Sequence, residues 1–184
     1  MNGVTRLGGA AAVAGLLASG LVAAGAQAPS VALNAAGDIV VPDVDYQRDW
    51  TMLGIFAHLG DDSVGQFNVV YTQPESVSAY QSTGAWPPGA VLVKELRKGR
   101  TTSDGKDPVS SLGDLTGWFV MVKPAPGMDA SGPLWGDGWG WAKFSADAPK
   151  TTVSKNYQTD CLECHRPVEQ SDWVHVDAYP LVRK

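Results

Sequence analysis

Apolar and polar positions alternate most cleanly from Ala90 to Arg97 (AVLVKELR). A period of two puts Ala90, Leu92, Lys94 and Leu96 on one face and Val91, Val93, Glu95 and Arg97 on the other, which predicts a β-strand. Phe67–Tyr71 (FNVVY) and Trp118–Lys123 (WFVMVK) share the β-branched and aromatic bias and predict two more strands. Tyr46–Ala57 (YQRDWTMLGIFA) turns apolar and suits a first strand or a short helix. Leu134–Phe144 (LWGDGWGWAKF) predicts one further strand, whose glycines let rings or backbone approach closely. Pro74–Thr83 reads as a short helix, with Pro in its first turn and Gly84 just past its end. Gly60–Gly65, Trp86–Gly89 and Pro124–Pro133 read as turns or loops, as does the polar stretch Gly99–Gly113. Residues 29–44 form an extended lead-in. The pattern predicts a mainly β (α+β) domain: an antiparallel sheet with a few short helices at its edges. No repeat or long linker divides it.

Composition leaves this picture intact. Of 184 residues, 44% are apolar and 18% charged, an ordinary globular balance, while 21 Gly and 12 Pro argue against a helical bundle. The N-terminus adds a targeting signal. Arg6 precedes an uncharged run of Ala, Gly, Leu and Val, and small residues repeat at Ala24, Ala26 and Ala28. Residues 1–28 therefore read as a cleaved secretory signal peptide, and residues 29–184 as a single domain with no membrane span after cleavage. A permanent anchor is the competing reading, weakened by the low hydrophobicity of Gly and Ala. The formal charge of −5 becomes one unit more negative when Arg6 is removed. With no Lys/Arg cluster, nucleic acid and anionic membrane surfaces are excluded as expected partners.

The chain has only two cysteines, and both lie in C-L-E-C-H, Cys161 to His165. Two thiols separated by two residues can reach the two vinyl groups of one haem, and the adjacent His then lies under the iron. The motif therefore reads as attachment of a single haem c, with His165 as iron ligand. A thioredoxin-like redox pair needs a βαβ setting, and structural zinc needs two more ligands; neither is present. Asp160 and Glu163 resemble a capping pair at a helix start, and Pro167 promises a quick stop. The residues leave the sixth iron position undecided among His58, His175, Met52, Met121, Met128 and an open site. His58 reads as exposed, and His175 as lying on a surface strand.

Lys94 falls between two leucines on its strand face. A snorkelling Lys at a sheet edge is the commoner case; an inward, desolvated amine is the reactive one.

The segments WPPGAVLVKEL, GWFVMVK, GDGWGWAKF and DCLECHRPVEQSDWVHVDAYPLV together resemble the cytochrome P-460 family, which includes the cytochromes c′-beta. The resemblance runs from about Trp50 to Arg183. It implies a mostly β homodimer, which the export signal places in the periplasm, with His165 as proximal ligand and an open distal face. It implies reactivity toward hydroxylamine, nitric oxide or another small diatomic gas, with an external redox partner; a plain electron carrier with a sixth protein ligand is the alternative it favours least. In the hydroxylamine-oxidising members a Lys is joined covalently to the haem edge, and Lys94 matches that position. This favours the inward reading of Lys94. Those members also place a Glu in the distal pocket, where this chain has Phe119. A Phe cannot act as a base. It can cap an open iron site, as in the c′-beta members, with Phe56 and Phe67 as further cap candidates.

Overall fold

The computed structural model describes residues 1, 3, 31–61, 63–103, 105 and 107–183. The leader read over residues 1–28, apart from residues 1 and 3, lies outside the described residues. The alternating segments form one six-stranded antiparallel sheet, in the order β1-β2-β3-β4-β6-β5.

The Tyr46–Ala57 segment supplies both of the elements it suited. Asp45 accepts a hydrogen bond from the Arg48 N–H and starts α1 (Tyr46–Asp49). Extended backbone at Trp50 then leads into β1 (Thr51–Leu59). After β2 (Val64–Thr72) comes α2 (Pro74–Thr83), bounded as expected by Pro74 and by Gly84 at φ 78°. β3 (Val91–Thr102) pairs with β2 on one side and with β4 (Val109–Val122) on the other.

Two expectations need correction. The loop read over Gly99–Gly113 is mostly a hairpin arm, with Gly99↔Leu112, Arg100↔Ser111 and Thr101↔Ser110 paired across β3 and β4. The arm projects largely into solvent, so its side chains carry no alternation. The strand read over Leu134–Phe144 is itself a hairpin of β5 (Trp135–Gly136) and β6 (Trp139–Ser145). Asp137 (φ 51°) and Gly138 (φ 78°) make its tight turn, whose positive φ angles match the twist of the strands.

Both sheet faces are covered. On the front, Val70, Leu92, Met121 and Trp141 pack against α2 and the C-terminal segment through Val77, Leu162, Trp173 and Tyr179. On the back, Val91, Val93, Val120 and Phe144 pack against Ala32, Ile39 and Tyr46 from the lead-in and α1. The period-two reading of β3 is thus realised, with Leu92 in front and Val91 and Val93 behind. Glu95 also goes to the back, where it is 1% exposed. It accepts hydrogen bonds from Tyr46 Oη at 2.8 Å, Gln47 Nε2 at 2.5 Å and Arg97 Nε at 2.6 Å. Tyr46 Oη in turn accepts from Trp118 Nε1 at 2.8 Å. This network ties α1 to the sheet.

Candidate functional site

The C-terminal segment crosses the front face as a chain of short turns. α3 (Tyr157–Asp160) is capped by Asn156, which accepts from the Gln158 N–H at 2.9 Å. Asp160 does not cap the following helix with Glu163, as the sequence suggested. Its carboxylate reaches backward and accepts from the N–H groups of Lys155 (2.7 Å) and Asn156 (3.2 Å). These bonds hold its pKa below the usual carboxylate range. The chain breaks at Cys161 and resumes as α4 (Leu162–His165). α4 ends at His165, two residues before Pro167, as expected, and a 3-10 helix follows from Arg166 to Ser171, where the missing N–H of Pro is harmless near the start.

A cavity of about 420 Å³ lies between this segment and the sheet, within the range of small-molecule and cofactor sites. Cys161, Cys164, His165, Lys94 and Phe119 all line it. The cysteines form no disulfide. Burial pushes the Cys161 thiol up to about 11, the opposite of the depressed pKa that a disulfide oxidoreductase requires.

His165 is held in one tautomer. Its Nδ1 lies 2.7 Å from the Trp173 carbonyl, which can only accept, so Nδ1 carries the proton and the Nε2 lone pair is free for a metal. Burial lowers its pKa to about 4, which keeps the ring neutral as ligation requires. Trp141 packs edge-on against this ring at 4.9 Å and donates its indole N–H to the Gly136 carbonyl at 3.1 Å. A Cβ at Gly136 would meet the Tyr157 ring that stacks on Trp141, so a larger residue there would have to displace that ring.

The Trp173 carbonyl is placed by an unusual turn. Asp172 (φ 58°) and Trp173 (φ 64°) are consecutive non-glycine residues in the left-handed region, which for a bulky side chain is strained. Lys123 at the end of β4 donates to both Asp172 carboxylate oxygens, at 2.6 and 2.7 Å. Trp139 Nε1 donates to the Asp172 carbonyl at 3.0 Å. The sheet thereby grips the turn that grips His165.

Lys94, Phe119 and Lys143 sit in one row across β3, β4 and β6. Lys94 Nζ lies 4.4 Å from the Phe119 ring centroid, and Lys143 Nζ lies 5.3 Å from it. Burial draws the Lys94 ammonium below its usual pKa, against the opposing effect of Cys164 and Cys161, while Lys143 adds to the lowering. Thioether formation would remove the two thiols and their opposing effect, favouring the neutral amine further.

The structure also sorts the other sixth-position candidates. Met52 is 48% exposed on β1, and Met128 packs with the back cluster. Met121, His58 and His175 line the cavity. His175 precedes a 3-10 turn (Val176–Ala178) rather than lying on a strand. Its ring packs 5.2 Å from that of His165, and its Nε2 is committed to the Cys164 carbonyl at 3.1 Å. Phe56 lines the cavity; Phe67, one register position from Asn68, points to the other face. Sequence reasoning missed Asn68, a buried amide on the cavity wall, and the Lys123–Asp172 pair.

Two thiols, one neutral imidazole with a free Nε2 and an apolar wall of Phe, Met and Trp form a donor set that fits a covalently attached haem. Fold and site define a mainly β c-type haem protein. The family model for Cytochrome P460 matches residues 44–176, most of the chain, and the protein belongs to that family. A search of curated proteins returns no match.

Proposed function

We propose that this is an exported, periplasmic cytochrome whose single haem c is attached at Cys161 and Cys164, ligated by His165 and open on its other side. It acts as an oxidoreductase on small nitrogen oxides, hydroxylamine or nitric oxide. The observation that supports this reading is Lys94, a desolvated amine on the wall of the cavity that also holds the attachment motif.

When bound, the haem supplies an iron centre that takes up such a ligand and passes electrons to an external redox partner. The chain supplies the setting. His165, fixed through Trp173, holds its lone pair in one direction. Phe56, Phe119 and Met121 line the same cavity with apolar surface and would limit water at a bound ligand. Lys94 is the residue that joins the haem edge if a cross-link forms. The resemblance further supports a homodimer.

The experiment is the spectrum of the reduced, denatured haem in pyridine, for the protein and for Lys94→Ala. An abnormal spectrum that reverts to ordinary c-type in the variant establishes the cross-link. An ordinary spectrum in both, with no reduction of an artificial acceptor by hydroxylamine under anaerobic conditions, rejects the oxidase. One observation favours a second reading: Phe119 occupies the row position beside Lys94 and offers no base. A c′-beta-like protein that binds nitric oxide or carbon monoxide without turnover fits that wall.

A further inference from the structure

Asn68 is 3% exposed, and its side chain faces the cavity among Phe56, Val70 and Lys94. Its amide is oriented from both ends. Gln66 Nε2 donates to Asn68 Oδ1 at 2.8 Å, which fixes the oxygen toward Gln66 and leaves the nitrogen toward His58. Asn68 Nδ2 lies 2.7 Å from His58 Nε2, and with its oxygen already engaged it acts there as the donor. An amide nitrogen carries two hydrogens. His58 accepts one; among the described residues no side chain or carbonyl is seen to accept the other. The second hydrogen belongs to a side chain that lines the cavity, where a ligand can accept it.

We infer that Asn68 is the hydrogen-bond donor that recognises the ligand at the open iron position, and that His58 and Gln66 are positioning residues that stop its amide from flipping. The ligand class follows from the donor: small molecules whose outer atom accepts a hydrogen bond, such as nitric oxide or hydroxylamine, are favoured over carbon monoxide, a poor acceptor. The inference rests on the open-iron reading above and deepens it. It holds whether or not the protein turns over, because it concerns recognition. His58, exposed on β1, keeps the amide in place from the rim. Apart from His58 and the haem ligand itself, the titratable groups lining the same cavity are Lys94, Asp160, Cys161, Cys164, His175 and Tyr179. None of them has a hydrogen bond to the Asn68 amide.

The test uses the ferrous haem protein with carbon monoxide and nitric oxide as probes, comparing the unmodified protein with Asn68→Leu and His58→Leu. In Asn68→Leu the C–O stretching band is expected to move to higher frequency, and nitric oxide to dissociate about tenfold faster, the factor carried by one hydrogen bond of ordinary net strength. In His58→Leu, which removes an exposed side chain and spares the core, the C–O band splits as the amide takes two orientations. An unmoved C–O band and an unchanged nitric oxide dissociation rate in both variants overturn the role of Asn68. If the unmodified ferrous protein binds neither gas, the open-iron reading has failed, and this inference with it. That outcome is visible before any variant is compared.

Discussion

The smallest unit that controls the site is the pair of left-handed residues Asp172 and Trp173. Asp tolerates that backbone region, but the bulky Trp173 does not, and holding it there costs roughly 1–3 kcal/mol. The Lys123 ion pair and the Trp139 hydrogen bond offset the strain, and the product is a carbonyl aimed at His165 Nδ1. Lys123→Met is therefore expected to free the turn and weaken the His165 hydrogen bond. Resonance Raman of the ferrous protein would show a shifted iron–histidine stretch, and the haem reduction potential would move with it. Lys123→Arg, which keeps the charge and can bind the carboxylate through two donors, is expected to restore both. A loss of thermal stability with the iron–histidine band unmoved would reduce the ion pair to a scaffold contact. Lys94 is a residue-scale case of another kind. Strand periodicity places it between two leucines and the family resemblance turns it inward, whereas its chemistry depends on a row of neighbours, Phe119 and Lys143, that only the β3–β4–β6 register assembles.

Among the elements, β3 divides two tasks between its faces. Lys94 faces the cavity, and Glu95, the next residue, closes the network with Tyr46, Gln47 and Arg97 behind the sheet. Removing the carboxylate strands a guanidinium and two donors. Glu95→Ala is expected to lower stability by about 3 kcal/mol, since breaking a buried pair leaves its partner uncompensated. Denaturant unfolding would measure it, and the haem absorption spectrum should stay as it was; a changed spectrum at unchanged stability would contradict the separation of faces. The strands that bury both faces were legible in the sequence, because period two and β-branched side chains report such burial directly. The hairpin arm from Gly99 to Gly113 was not, because exposed residues such as Arg100, Thr101 and Ser110 are free of that constraint. Asp137-Gly138 is a hairpin signal that the tryptophans around it obscured. Likewise the haem motif is local and reads at once, whereas Asn68 became visible only when register placed it beside His58 and Gln66. Asp172 and Trp173 carry no glycine to announce a positive φ. A conformation enforced by distant partners leaves no local trace.

At the scale of the whole molecule, the sheet ends on one side at β1, which among the described residues has no strand beyond it. That edge is apolar: Met52, Ile55 and Leu59 are 48%, 46% and 81% exposed. An unprotected apolar edge strand invites pairing, and monomeric proteins commonly blunt theirs with charge or Pro; β1 (TMLGIFAHL) carries neither. A second copy meeting this edge would account for its composition, in line with the homodimer proposed above. Ile55 and Leu59 lie on the strand positions that alternate with Phe56 and His58, so they can be changed without touching the cavity wall. The double variant Ile55→Lys, Leu59→Glu is expected to be a monomer by light scattering, with the haem spectrum and gas binding of its parent at saturation. Because His58 stands on the same strand at the cavity rim, loss of the dimer is also expected to open that rim and speed ligand entry and exit together, leaving affinity nearly unchanged. If the parent protein is monomeric at tens of micromolar, the apolar edge serves another contact, and the rim is open to solvent in the native state.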